Sequence, residues 1–230
     1  MNERDTRKGR DFSLFVAEKI HASLVYNMAA LEGNPFTFPE VKTLLEGVTV
    51  GGHKVSEQEQ VLRISDGWKR LLSLVKTNQF ELTKDVAVDL NERVAKNEAL
   101  EVGGFRTGNV GIEGTDYKPP SPAVLDDVFA KLVSQTTNDN LPDSAYRFFL
   151  KSAAAQFFWD GNKRTGQLMM NGMLLKEGYL PVSIPSKRRL EYNEKMIRFY
   201  DTGKMKEMSS FLSECALEVA EPFLDADRDL

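Results

Sequence analysis

Apolar residues recur every three or four positions through most of the chain, which is the spacing of one buried helix face. The first such run covers residues 12–31, and a capping box at Ser56 and Glu59 indicates the start of a long helix carrying apolar residues to Val75. The same spacing predicts helices over residues 39–45, 83–96, 122–135, 142–157, 164–177, 189–200 and 204–223. Residues 48–54, 137–140 and 184–186 have the composition of turns or loops. The sequence therefore predicts a mainly α fold.

Residues 104–120 depart from this helical pattern. Val110 and Ile112 favour β-strands, and Gly108 with Asn109 favours a tight turn. These residues predict one β-hairpin. Taken alone, they are most simply explained by an ordinary hairpin at the edge of the fold.

Composition narrows the class of protein. The chain has 230 residues, 41% of them hydrophobic, and a formal net charge of -4, which argues against a nucleic-acid-binding surface. One cysteine, Cys215, excludes an intrachain disulfide and suits a reducing compartment. No apolar run approaches about 18 residues, and residues 1–10 are polar with mixed charge, so we expect neither a membrane span nor a secretory signal. We predict a cytoplasmic protein of bacterial type.

The most informative chemistry lies between two apolar helices, at Asp160, Gly161 and Asn162. A helix that begins directly after a Gly-Asn turn directs free backbone N–H groups at one spot, and Lys163 and Arg164 add two positive charges there. This pattern predicts an anion-binding turn, and the Asp160 carboxylate could hold Mg²⁺ beside a bound phosphate. The same residues are equally compatible with a plain helix cap and turn.

The stretch 156–167 resembles the signature of the Fic/Doc family, His-x-Phe-x-(Asp/Glu)-Gly-Asn-(Gly/Lys)-Arg-x-x-Arg. The matching positions are Phe158, Asp160, Gly161, Asn162, Lys163 and Arg164. Gln156 stands at the position of the catalytic His, and Gln167 at that of the second Arg. The resemblance implies a Fic-type helical bundle with one β-hairpin flap, and a site that takes ATP with Mg²⁺ and transfers AMP to protein hydroxyls. It also implies that Arg164 and Gln167 lie at the phosphates.

Two further segments extend the resemblance. Residues 104–120 are similar to the family's flap, where Val110, Gly111 and Ile112 would dock the target protein. Residues 30–37 are similar to its inhibitory segment, in which Glu32 is the inhibitory residue. The implied organisation is an N-terminal helical segment over 1–50 and a Fic core over 51–230.

The inhibitory segment also departs from the family pattern, because Met28 occupies a position that is Ser or Thr in the family. A carboxylate in the last turn of a helix is disfavoured by the helix dipole, so we expect Glu32 to have a cationic or hydrogen-bonding partner. Arg164 and Gln167 are the candidates. A solvated Glu at a helix end is the simpler alternative.

Gln156 decides the functional expectation. In the family the His accepts the proton of the attacking hydroxyl, and a glutamine amide has no basic nitrogen near pH 7. Loss of a general base lowers a rate by about 10²- to 10⁴-fold. We therefore predict a nucleotide-binding relative of protein adenylyltransferases whose transfer activity is impaired or lost.

Two alternatives stay open at this point. One is an active nucleotidyl- or phosphotransferase with an atypical base, and the other is a protein-interaction or toxin-type module without catalysis. Tyr192 and Asn193 are candidates for adenine contacts by resemblance only, and a surface helix face is the favoured interpretation of both. The sequence leaves open the target protein and whether two copies form a homodimer.

Overall fold

The computed structural model describes residues 6–136 and 140–223. These contain ten α-helices: α1 (Arg10–Lys19), α2 (His21–Leu31), α3 (Phe38–Leu45), α4 (Val55–Lys76), α5 (Lys84–Ala95), α6 (Leu125–Ser134), α7 (Leu141–Ala155), α8 (Asn162–Lys176), α9 (Arg189–Thr202) and α10 (Lys206–Ala220). Short 3₁₀ turns cover Pro122–Val124, Ser186–Arg188 and Glu221–Phe223. The mainly α class is confirmed. Of the loop predicted over 137–140 only Asn140 is described, and residues 1–5 of the N-terminus also lie outside the described part.

The first helical run differs from its prediction because it forms two helices. Ile20 has φ -96° and ψ 14°, which ends α1 one residue before α2 begins. Phe15, expected on the buried stripe, is 53% exposed.

The capping box predicted for α4 is also displaced. The helix begins at Val55, so Ser56 lies within its first turn. The cap is instead made by Glu57, whose Oε2 accepts the backbone N–H of Lys54 at 2.8 Å.

Helices α7 and α8 form the centre of the fold. They run side by side, and α8 also packs against α1, α4 and α5. Almost every residue of α8 from Arg164 to Leu175 is buried, so this helix is enclosed on all sides. Helices α2 and α3 join the same hydrophobic core through Leu24, Met28 and Val41. The division at residue 50 stays a prediction.

Residues 104–120 lie across the ends of these helices without forming strands. In the described part of the chain, the only β-pairing is one isolated bridge between Arg7 and Tyr179. The backbone N–H of Arg106 donates to Phe157 O at 2.9 Å, outside the segment, rather than to an opposite arm. The two arms therefore do not pair, and the predicted β-hairpin is not confirmed.

Candidate functional site

The turn between α7 and α8 is set by two residues with left-handed backbones. Gln156, directly after α7, has φ 48° and ψ 61°, and Gly161, directly before α8, has φ 73°. A Cβ atom at Gly161 would lie 2.9 Å from the Cβ of Ala95, so both the backbone and the space require glycine there.

The first turn of α8 presents unpaired backbone donors. The N–H groups of Asn162, Lys163 and Arg164 have no acceptor in the part of the chain that is described. The N–H of Gly161, predicted to be a donor to the anion, instead donates to Oδ1 of Asp160. The resulting arrangement has the form of an anion site at a helix N-terminus.

The side chain of Gln156 lies within this turn and is hydrogen-bonded at both ends. Its Nε2 donates to Ala153 O at 2.6 Å, and its Oε1 accepts from Nδ2 of Asn162 at 3.1 Å. An amide in this position can orient groups but cannot take a proton near pH 7.

Arg164 is 1% exposed and points inward. Its two terminal nitrogens each donate to Glu98 at 2.9 Å, and they also donate to Val94 O at 2.6 Å and to Asp160 Oδ1 at 3.2 Å. Burial alone lowers the pKa of Arg164, but the carboxylates of Glu32, Glu98 and Asp160 raise it, and the net direction is upward. Its terminal nitrogens are thus engaged within the protein, and its contact with phosphate stays a prediction.

Asp160 keeps one oxygen available. Oδ1 accepts from Gly161 and Arg164, whereas Oδ2 has no hydrogen-bond partner within the described residues. The side chain is 48% exposed. The described residues contain no group of three or more His, Cys, Asp or Glu side chains that could hold a metal ion. A magnesium ion here would therefore depend on Asp160 together with oxygens of the bound phosphate.

Glu32 follows α2 and reaches the start of α8. Its Oε1 lies 3.5 Å from Nζ of Lys163, and the two side chains are 18% and 32% exposed. The cation in contact with Glu32 is Lys163, whereas Arg164 interacts with Glu32 through its charge only, and Gln167 makes no hydrogen bond to it. The ion pair holds the charge of Lys163 beside the free N–H groups. An inhibitory role of Glu32 stays a prediction.

Four buried polar atoms at or near the turn have no partner among the described residues, and they include Nε of Arg164 and Oδ1 of Asn91. Gln167 is 4% exposed, and its Nε2 makes no hydrogen bond. The hydroxyl of Tyr192 is equally unpaired, and burial, followed by Tyr200 and Glu32, raises its pKa well above the usual value. Tyr192 is fully buried, which corrects its favoured placement on a surface helix face, whereas Asn193 is partly exposed.

The predicted docking residues lie on the irregular segment. Val110 and Ile112 are half-buried and Gly111 is exposed. The backbone groups of these three residues make no hydrogen bond to the described part of the chain. Like the outer side of an edge strand, these residues present free backbone N–H and C=O groups.

Arg106 was not predicted as a site residue, yet it joins the segment to the turn. The buried guanidinium donates to Gln156 O at 2.5 Å, Gly108 O at 2.6 Å and Pro120 O at 2.5 Å, with Ala155 O at 3.5 Å. Burial lowers its pKa. Because all its acceptors are carbonyl oxygens, the sequence carries no signal for this role.

Asn91 on α5 supports the turn from below. Its Nδ2 donates to Asp160 O at 2.9 Å and to Thr165 Oγ1 at 3.1 Å. Here a signal existed, because Asn91 is a polar residue between Leu90 and Val94 on the apolar face of the predicted helix.

Trp159 packs against Gly108 of the segment 104–120. Its indole N–H donates to Glu101 at 3.4 Å, and a Cβ atom at Gly108 would collide with the indole ring. Residue 108 can therefore only be glycine while Trp159 occupies this position.

These features define a helical protein in which a helix N-terminus with free N–H groups lies beneath an irregular segment. Residues 81–174 match the family model described as Fic/DOC family. This part of the chain is therefore similar to the Fic/DOC family, as the stretch 156–167 predicted.

Similar curated proteins point the same way. One is the protein adenylyltransferase Fic of Drosophila persimilis, 28% identical over 214 residues, which cover 90% of this chain and 41% of the relative. Another is that of Drosophila mojavensis, 27% identical over 213 residues, covering 90% and 42%. The chain thus spans about two fifths of the length of these relatives.

Solved structures share the fold. Fic-1 (residues 134–508) from C. elegans superposes with a TM-score of 0.80 at 21% identity, covering 94% of this chain and 67% of that one. A Fic domain containing signaling protein from Bacteroides thetaiotaomicron superposes with a TM-score of 0.78 at 19% identity, covering 99% and 95%. The Fic-type helical bundle is therefore confirmed. The relatives come from flies, a nematode and a bacterium, so bacterial origin stays a prediction.

Within residues 6–136 and 140–223, none of the helices has both the length and the apolar character needed to cross a membrane. Cytoplasmic location and homodimer formation stay predictions.

Proposed function

We propose that this chain binds ATP with Mg²⁺ at the turn between α7 and α8 and transfers AMP to protein hydroxyls weakly or not at all. The observation that carries the proposal is the state of Gln156, whose amide is bonded to Ala153 and Asn162 at the place where the signature has its base. Without a base, the rate should fall by about 10²- to 10⁴-fold.

The binding half of the proposal depends on groups that the change at Gln156 does not remove. Three N–H groups at the start of α8 have no acceptor in the described chain, and Lys163 lies beside them. Bound Mg²⁺ would neutralise charge on the phosphates, and Asp160 would hold it through its available oxygen. The fold thus keeps the means of positioning a nucleotide.

The protein partner of the proposed reaction would dock at residues 110–112. Their unpaired N–H and C=O groups could accept an extended segment of another protein as an added strand. Val110 and Ile112, half-buried, would fix the side on which that segment lies.

The test combines binding and transfer. Isothermal titration of the wild-type chain with ATP and MgCl₂ should show saturable binding, and absence of binding to ATP, ADP and GTP would contradict the nucleotide site. In the transfer assay, ATP labelled at the α- or γ-phosphate is incubated with a cell lysate. The wild type should label little with either, Gln156→His should raise α-label transfer, and Gln156→His with Gln167→Arg should raise it further.

Gln79→His is the matched control, because Gln79 is an exposed residue at the end of α4, remote from the turn in the fold. It should leave labelling unchanged. Strong α-labelling by the wild type would show instead an active transferase with an atypical base, and γ-labelling would show a phosphotransferase.

A further inference from the structure

Every polar atom of Gln156 is hydrogen-bonded within the protein. Besides the two side-chain bonds, its backbone N–H donates to Ser152 O at 3.2 Å and its carbonyl accepts from Nε of Arg106 at 2.5 Å. Of these four bonds, the two made by the amide, to Ala153 and Asn162, depend on the side chain being glutamine. The arrangement is that of a structural connection.

The hydrogen bond between Gln156 and Asn162 joins the two ends of the turn. Asn162 donates from Nδ2 to Oε1 of Gln156. It also bonds the backbone of Phe158, because its Oδ1 accepts from the Phe158 N–H at 2.9 Å and its Nδ2 donates to the Phe158 carbonyl at 2.8 Å. The last residue of the α7 cap is thereby tied to the first residue of α8. This tie holds although a left-handed backbone is unfavourable for a residue with a Cβ atom.

We propose that Gln156 is a positioning residue for phosphate: through Asn162 it fixes the first turn of α8 so that its free N–H groups converge before a ligand arrives. The proposal rests on the proposed nucleotide site. Its physical basis is preorganisation, since donors that are already held in place lose less entropy when an anion binds. The substitution that removes the base thus also builds the phosphate-binding turn.

The test separates binding from folding. Gln156→Met keeps the length of the side chain and removes both amide bonds, whereas Gln156→Gly removes them and also relieves the left-handed backbone. Inorganic pyrophosphate and ADP with MgCl₂ are the probes in isothermal titration, and urea unfolding gives the stability of each variant. Both variants should bind the probes about 10-fold more weakly than the wild type, although Gly should be the more stable of the two.

A control excludes a general effect of stability. Val75→Ala, near the C-terminal end of α4 where the carbonyl of Val75 accepts from Arg10, opens a small cavity in the core away from the turn and should lower stability without changing affinity. If Gln156 acts through Asn162, the double variant Gln156→Met/Asn162→Ala should bind no more weakly than Asn162→Ala alone.

The outcomes are distinct. Wild-type affinity in Gln156→Met and Gln156→Gly would overturn the positioning role and leave the nucleotide site standing. Additive losses in the double variant would also overturn it, because the two residues would then act independently. A wild type that binds neither probe would overturn both proposals together.

Discussion

The turn 156–162 and the segment 104–120 meet at Arg106, whose backbone N–H donates to Phe157 O and whose guanidinium donates to Gln156 O, but they are held in different ways. The turn is closed by short-range bonds among its own residues and by Asn91 below it. The segment has no strand pairing and depends largely on one buried guanidinium that reaches several carbonyls. The difference indicates that the turn proposed to bind phosphate is preformed, whereas the segment over it can be released while the turn stays intact.

Arg106→Met should have the largest effect and should loosen the segment 104–120 more than the turn 156–162. It leaves several buried carbonyl groups without a donor, so the free energy of unfolding should fall by about 3 to 5 kcal/mol. Urea unfolding measures the loss, and hydrogen exchange should accelerate in 104–120 more than in 156–162. Lys118→Met, an exposed change in the same segment, is the control and should have little effect. Equal acceleration in both regions would show that they do not separate.

Arg164→Met should disturb the turn instead, with a smaller effect. The buried guanidinium is lost, but Glu98 and Asp160 are 27% and 48% exposed and can be hydrated again. We expect a loss of about 2 to 4 kcal/mol in the free energy of unfolding, because the carbonyl of Val94 loses its donor and the two carboxylates are only partly rehydrated. Hydrogen exchange should now accelerate in 156–162 first. Faster exchange in 104–120 alone would show that Arg164 holds the segment rather than the turn.

Glu32→Gln should alter binding more than folding. Its ion pair with Lys163 is partly exposed, so the stability change should stay below about 1 kcal/mol. Without the carboxylate beside the free N–H groups, affinity for ATP with MgCl₂ should rise by about 3- to 10-fold. Isothermal titration measures this, and Glu46→Gln at the end of α3 is the control on another helix end. Unchanged affinity would show that Glu32 does not face the bound phosphates.

Tyr192→Phe should have the smallest effect at neutral pH. The hydroxyl is buried without a partner, so its removal should change the free energy of unfolding by less than about 1 kcal/mol and in the stabilising direction. Tyr26→Phe, which removes a hydroxyl bonded to Ser186, should be destabilising by comparison.

The stabilities of the wild type and of Tyr192→Phe should diverge at alkaline pH. Burial raises the pKa of Tyr192, so the folded protein keeps the proton while the unfolded chain ionises near pH 10. Stability contributed by the neutral tyrosine is present below about pH 10 and is lost as the pH rises further. Above this pH the Phe variant should therefore be the more stable one in urea unfolding. Parallel pH curves would show that Tyr192 is accessible to water.

The helices were predictable because their signals are local. Thr83 and the apolar spacing after it gave α5 to within one residue, and the Gly-Asn turn gave the start of α8 to within two. The break at Ile20 was not predictable, since no glycine or proline marks it. Tertiary packing determined that boundary.

The same distinction applies to the site. The turn before α8 follows from adjacent residues, and the sequence predicted its position, whereas anion binding there stays a prediction. The partners of its charged groups do not, because Glu98 lies 66 positions before Arg164 and Gln156 lies 50 positions after Arg106. The hairpin was overpredicted for a related reason: strand-forming residues show a preference for extended backbone, but pairing needs a second arm in register.

The contact between Trp159 and Gly108 gives the protein an optical signal of its own. The chain has two tryptophans, and Trp68 is 1% exposed in the core while Trp159 is partly exposed beneath the segment. A soluble quencher such as acrylamide should reach only the second, so the quenchable part of the emission reports on Trp159 alone. When the cover lifts from the indole that part should grow, which allows its movement to be followed in the unlabelled protein.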